Sequence, residues 1–313
     1  MKKVILGMFI ALFSTLSLAK TPLTIVVGYP PGGDTDVLAR LVAVKLAPLL
    51  DKPVIVENRV GAAGSIASNY VSSATGDGSI IMFAPSTFST APIVNQNIKY
   101  NPITDFTPIM QLSGHGMFAV VNTSTGINNI KELISANKDG RVQHFGSPGV
   151  GTPMHVLGEM FNRAASTNIT HIPFKGNADI INNMLGNQIG FTWITLLPVI
   201  PHIDAGKMTV IGVASNKRSS FYPNVPTLAE QGIKDVEIES WLGFLGPKEM
   251  SKETANEINR RLNEVIAMPD VKDKLKSLAM IPVGSTPELF KETLRKDNAK
   301  YTRVIKMAGI KID

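Results

Sequence analysis

The chain has 313 residues, 44% of them hydrophobic and 18% charged, a formal net charge of +6 and no cysteine. That length and apolar content suit two packed domains and exclude a disordered chain, while the missing thiols exclude disulfides, thiolate metal sites and thiol catalysis together. The mild basic excess fits anionic ligands; the basic stretch 291–311 alternates with Leu294, Tyr301, Val304 and Ile305 as on a solvated helix face, so no nucleic-acid partner is expected.

In chain order, Lys2 and Lys3 precede an apolar run over 4–12, and Ser17-Leu18-Ala19 places small residues where a signal peptidase reads them. Residues 1–19 are therefore expected to be a cleaved signal peptide, with a periplasmic mature chain starting near Lys20 and carrying a charge of about +4. No later window approaches the roughly 20 apolar residues of a membrane helix, so the mature protein is not expected to be membrane-inserted, and no cysteine offers a lipid anchor.

Residues 24–46, TIVVGYPPGGDTDVLARLVAVKL, carry a strand pattern into a Pro/Gly-rich loop and then a helix. Gly32 and Gly33 let backbone approach a ligand, Pro30 and Pro31 stiffen the entry, and the helix presents unpaired N–H groups and its positive dipole end. Thr35 or Asp34 can cap this helix, and an anion is the natural guest. Residues 53–57 read as a strand, a helix carries Ile66, Tyr70 and Val71, and 79–84 read as a buried strand. Ser86 and Thr87 follow at its carboxyl end, where open α/β sheets place ligands, so their hydroxyls are candidate contacts as well as candidate helix caps.

Strands are expected at 106–112 and 117–121, the second crossing to another domain near Asn122. A helix over 130–137, a strand over 142–146 and a loop from Gly146 to Gly151 follow; Thr152 is a cap and Pro153 a first helical residue. This repeats the first loop, and two facing helix starts imply a cleft, although such turns also serve α/β proteins as plain connections. A strand over 169–173 leads to Phe174-Lys175-Gly176-Asn177, a third copy of the design. Residues 188–197 read as strand and turn, 199–205 as a helix and 208–215 as a strand returning to the first domain near 216. Trp193 is either an aromatic wall for the ligand or an ordinary core tryptophan. The last hundred residues read as helical, with caps at Ser251, Asp270 and Thr286.

Reaction chemistry is sparse. There is no P-loop, no GxSxG and no HExxH, the glycines at 146, 149 and 151 have the wrong spacing for a dinucleotide fingerprint, and the five histidines never fall at i, i+4. No catalytic residue, metal or cofactor is expected.

Taken together, YPPGGDTDVLAR at 29–40, PVIVENRVGAAGSIAS at 53–68, SPGVGTPMHVLGEMF at 147–161, HIPFKGNADIINNMLGNQ at 171–188, LLPVIPHIDAGKM at 196–208, and VPTLAEQGI with ESWLGFLGP resemble the periplasmic solute-binding proteins of tripartite tricarboxylate transporters, the Bug family. The resemblance covers essentially the whole mature chain. It implies an α/β, two-domain Venus flytrap, type II-like, with a ligand cleft at a two-strand hinge. The expected domains are 20–121 with 217–313, and 122–216. The resemblance also implies a small organic carboxylate as ligand and membrane transporter subunits as partners; a monomer is expected. Carried over by position, the ligand-binding residues are Tyr29, Pro30, Pro31, Gly32, Gly33 and Asp36, then Ser147, Gly149, Gly151 and Thr152, then Phe174, Lys175 and Gly176. Lys175 is placed to neutralise a second carboxylate. Where relatives often carry acids, this chain has Gly190 and Ile194, which argues against an ammonium-bearing ligand. Rival functions are a periplasmic hydrolase using Ser147 or a histidine in the same cleft, and a ligand sensor for a membrane signalling partner. Trp241 reads as structural.

Overall fold

The computed structural model describes residues 20–310, so the signal-peptide expectation for 1–19 lies outside the described residues. The chain begins with β1 (Leu23–Val27), α1 (Asp34–Leu50), β2 (Val54–Asn58), α2 (Ser65–Ser72), β3 (Ile80–Pro85), α3 (Thr87–Val94) and β4 (Phe106–Gly116). It continues through β5 (Phe118–Asn122), α4 (Ile130–Lys138), β6 (His144–Ser147), α5 (Pro153–Ala165), β7 (Thr170–Pro173), α6 (Asn177–Leu185), β8 (Phe191–Ile194), α7 (Ile200–Asp204) and β9 (Met208–Val213). It ends with β10 (Glu239–Pro247), α8 (Lys252–Ala267), α9 (Pro269–Ser277), β11 (Ile281–Pro282) and α10 (Pro287–Ala308).

Two separate sheets result, ordered β11-β4-β10-β3-β1-β2 and β7-β6-β8-β5-β9. In the first, β2, β1 and β3 are parallel and β10 runs antiparallel between β3 and β4. In the second, β7, β6 and β8 are parallel, and β5 is antiparallel to β8 and β9. Alternation along the strands sorts the cores. Leu23, Ile25 and Val27 of β1 face α1, α8 and α9, whereas Val26 faces the opposite layer with α2, α3 and α10. Leu38, Val42 and Leu46 recur at helical spacing along α1 and are wholly buried. Each such side chain contributes about 1.5–3 kcal/mol relative to exposure, which fixes the helix, and therefore its start, against the sheet. The second sheet is covered by α4 and α5 on one face and α6 and α7 on the other.

The passages between sheets differ from the sequence expectation. Phe118–Asn122 pairs with β8 and β9, so the chain enters the second sheet after Gly116, ahead of 122. It does not return near 216. Leu228, Val236 and Ile238 pack in the core of the second sheet, and the return comes at Glu239, where β10 begins. The α10 helix spans both cores, with Phe290 and Leu294 in the first and Tyr301, Val304 and Ile305 in the second. The strand β10 was not anticipated. It is buried on both faces, so it shows no alternation, and Gly243 interrupts its apolar run because a Cβ there would come within 2.4 Å of Phe290. Trp241 is structural as expected: it is buried and its Nε1 donates to Asp297 at 2.7 Å. Among the described residues, no helix is long and apolar enough to cross a membrane.

Candidate functional site

The first loop leaves β1 and enters α1 through Tyr29–Gly33. Gly32 adopts φ +87°, a conformation that glycine takes without a Cβ penalty. Beneath it lies Asp36, almost wholly buried. Its carboxylate accepts from the Gly32 N–H at 2.9 Å, from Arg40 Nε and Nη2 at 3.0 and 2.9 Å, and from Asn58 Nδ2 at 2.8 Å; Asn58 also donates to the Tyr29 carbonyl at 3.0 Å. The Arg40 hydrogen bonds, helped by those from Gly32 and Asn58 and opposed by burial, hold the Asp36 carboxyl at a pKa of about 2. With its oxygens so engaged, Asp36 braces the loop from behind. The Tyr29 hydroxyl lies 2.8 Å from Thr87 Oγ1, tying the first loop to the start of α3, and Ser86 Oγ lies 2.8 Å from Ser240 Oγ.

The second loop is held without any ionised group. Ser147 is fully buried; its Oγ donates to the Gly149 carbonyl at 2.9 Å and sits 2.6 Å from His171 Nε2. The Gly151 N–H donates to His155 Nδ1 at 3.0 Å, and the two imidazoles stack with centroids 3.6 Å apart. Burial pushes His155 down to about 4; burial, then the neighbouring His155, pushes His171 to about 3, so both are neutral at ordinary pH. Thr152 Oγ1 donates to the Gly149 carbonyl at 2.9 Å. Ser147 and His171 look like a nucleophilic dyad, but a hydroxyl with no exposed surface cannot meet a reacting carbonyl. In the third loop the Phe174 N–H donates to the Ser147 carbonyl at 2.9 Å, joining the second and third loops, while the Phe174 ring packs on the α6–α7 core.

A cavity of about 440 Å³ lies between the two sheets. From the first sheet it is lined by Tyr29, Asp34, Thr35, Ser86 and Thr87; from the second by Pro148, Thr152, Met154, Lys175, Asn177 and Thr195. His115, Met117, Leu242 and Met280 line it beside the crossing strand. Four helices place their first residues on this one space: α1 through Asp34 and Thr35, α3 through Thr87, α5 through Pro153 and Met154, and α6 through Asn177. Gly33, Ser86 and Gly176, which precede α1, α3 and α6, make no side-chain cap, so these helix starts keep N–H donors open. The aligned dipoles add to this and favour an anion.

Of the residues expected from sequence, Tyr29, Ser86, Thr87, Thr152 and Lys175 line the cavity. Pro30, Pro31, Gly32 and Gly33 are exposed between Tyr29 and Asp34, which do line it. Ser147, Gly149, Gly151, Phe174 and Gly176 shape the loops that present their neighbours. Trp193 is a core residue: Phe191 and Trp193 share the α5 face of β8, where the indole meets Phe161 and Phe191 edge-on and is fully buried. Ile194 is also fully buried, on the opposite face of β8, and Gly190 backs onto Val142 and Thr125, so neither position reaches the cavity. Sequence reading missed His115, Met117, Thr195 and Ser240. Their one signal is position at strand ends, where sheets of this kind place ligands. A larger hollow, of about 840 Å³, lies between the carboxyl end of α5, residues 232–236 and α10, and no helix start faces it.

Two α/β sheets joined by crossing segments, with a cavity between them, define the periplasmic binding-protein class, and the chain has the fold of these solute-binding receptors. It belongs to the tripartite tricarboxylate transporter family receptors, whose family model matches residues 38–310. It is similar to the protein BugT of Bordetella pertussis (strain Tohama I), at 27% identity over 93% of this chain and 90% of that protein. The solved structure of the periplasmic binding protein BugD is 31% identical, with a TM-score of 0.77 over 93% of this chain and 98% of that one. The R. palustris protein Rpa4515, solved with adipate, is 27% identical, with a TM-score of 0.81 over 93% of this chain and 99% of that one.

Proposed function

We propose that this receptor captures a small organic carboxylate in the cavity between its sheets and delivers it to membrane subunits of a tripartite tricarboxylate-type transporter. The observation that carries this reading is the convergence of helix starts from both sheets on one cavity, three of them without side-chain caps. Charge-assisted bonds from such donors to a carboxylate contribute about 1.5–3 kcal/mol each, so a few suffice for tight capture. The similar R. palustris protein solved with adipate supports the ligand class. Residues 20–116 with 239–310, and 117–238, are the two domains on this reading, with export directed by residues 1–19. Ligand contacts made to both domains only when they are closed shift the population toward the closed form.

Asp34 favours a second reading. Among the described residues it is the one acid lining the cavity, and partial burial raises its pKa against the opposing pull of Lys274. A ligand that also bears an ammonium would find a counter-charge there. Thermal melts of the mature protein with mono-, di- and tricarboxylates and with amino acids separate the two. A ligand at a hundred times its Kd stabilises by about 2.7 kcal/mol, a shift of several degrees. Larger shifts from plain carboxylates support the proposal, larger shifts from amino acids favour the second reading, and no shift from any of them contradicts both.

A further inference from the structure

The cavity contains a histidine that the protein itself does not use. His115 is the penultimate residue of β4, immediately before the chain crosses to the second sheet. Its side chain lines the cavity and also a smaller hollow of about 120 Å³ on the far side, with Ser215, Lys217, Arg218 and Glu239. Its Nδ1 is buried and has no hydrogen-bond partner, a condition that buried polar atoms in folded proteins rarely keep without a ligand or water to relieve it. Of the cavity-lining residues nearest in the fold, Met117, Leu242 and Met280 are apolar, and Ser240, its cross-strand neighbour on β10, is engaged with Ser86.

We infer that His115 is a ligand-binding residue, taking the far carboxylate of a dicarboxylic acid whose near carboxylate is held at the helix starts, and that such a ligand binds together with one proton. The inference rests on the carboxylate reading of the cavity and assigns one residue to the second acidic group. Burial holds the unliganded imidazole at a pKa of about 4, so it is neutral at pH 7. A carboxylate placed within hydrogen-bond reach favours the imidazolium. The imidazole then takes its proton from solvent, and neutral imidazole, dianion and proton combine without any other reactant. The charged groups that line the same two hollows leave it that role. On the cavity side they are Lys175 and Asp34, with the neutral Tyr29; on the other side are Lys217, Arg218 and Glu239. Arg218 pairs with Glu230 at 2.9 Å and Glu239 accepts from Ser215 at 3.2 Å, and among the described residues His115 has no ion-pair partner. The position beside the crossing also means that a ligand held there touches the segment that joins the two sheets.

The test is calorimetric titration of the mature protein at pH 6 with acetate, butyrate, succinate, glutarate and adipate, each in two buffers of different ionisation enthalpy. The expected result is uptake of about one proton with the tightest dicarboxylate and little with a monocarboxylate. His115→Gln and His115→Asn are expected to melt within a degree or so of the wild type when unliganded, because no protein hydrogen bond is lost, yet to bind that dicarboxylate about tenfold or more weakly and without the proton. Dicarboxylate binding without proton uptake, or uptake and affinity unchanged in both variants, overturns the assignment of His115 and leaves the carboxylate reading standing. Variants that melt far below the wild type show a structural histidine and overturn it too. Failure of every acid to bind overturns both.

Discussion

The loop before α1 is held by an ionised carboxylate, and the loop before α5 by two neutral imidazoles. In the first, Asp36 gathers Gly32, Arg40 and Asn58 around one buried charge. In the second, His155 accepts a backbone N–H, His171 lies 2.6 Å from a serine hydroxyl, and the two rings stack on each other. The difference teaches how a receptor for anions can order its donors without filling its own site. Asp36 keeps its negative charge behind the loop, neutralised by Arg40, and the second loop adds no charge at all. The two loops also differ in what they touch. Gly151 lies against Val94 of α3, so that a Cβ there would come within 2.3 Å of it, whereas nothing stands within 4 Å of a Cβ at Gly32.

The largest expected effect comes from removing the charged brace. Asp36→Ala removes the buried acceptor shared by Arg40, Asn58 and the Gly32 N–H, and should cost about 2–3 kcal/mol in urea unfolding while weakening carboxylate binding. A loss below about 0.5 kcal/mol would show that the first loop holds itself.

Next comes a pair of glycine substitutions. Both positions have positive φ, +74° at Gly151 and +87° at Gly32, so both alanines carry the left-handed penalty of about 1 kcal/mol. Only Gly151→Ala must also displace Val94, and it should cost about 2–3 kcal/mol in total, against about 1 for Gly32→Ala. Equal costs would mean that α3 moves aside freely, and the contrast between an anchored and an open loop would fail.

A smaller effect separates the braces by pH. The His155 pKa is depressed from its ordinary 6.5 to about 4 by burial, so the unfolded chain binds more protons in between. The stability it contributes is complete above about 6.5 and is lost as pH falls through about 4; His171 and His115 act in the same direction. Glu159 Oε1, 3.8 Å from His155 Nε2, is itself shifted upward by burial and acts in the opposite direction, so it offsets part of the histidines' decline. Asp36, with a pKa of about 2, loses its contribution only below the ordinary carboxylate range. Melting temperature should therefore decline from pH 6.5 to pH 4.5, less steeply in His155→Gln, with Asp36→Asn keeping the wild-type slope. A slope carried by Asp36 in place of the histidines would reverse the assignment of the two braces.

Local chemistry made much of this legible. Thr152, Ser251 and Thr286 do cap α5, α8 and α10, and the loops carry glycine where the chain needs positive φ. Contacts distant in sequence were not legible. Asp270, expected as a cap, lies inside the first turn of α9, whose N-cap position is Met268 with no side-chain cap, and β10 has no partner visible until β3 and β4 flank it. Trp193 illustrates the same limit at the site: strand alternation shows that it shares a face with Phe191, but only the position of α5 shows that this face is core. His155 and His171 are 16 positions apart in a sequence that gives neither a ligand-like spacing, and their stacking depends on β7 lying beside β6.

The central claim is that one carboxylate is gripped by helix starts from both sheets. Hydrogen exchange at the amides of residues 34–37, 87–90, 152, 154–156 and 177–180, with and without the carboxylate that stabilises most in the melts, tests it directly. The account expects added protection at helix starts on both sheets and none at the start of α8, which lies outside the cavity. Protection confined to one sheet, or spread equally over α8, would contradict it.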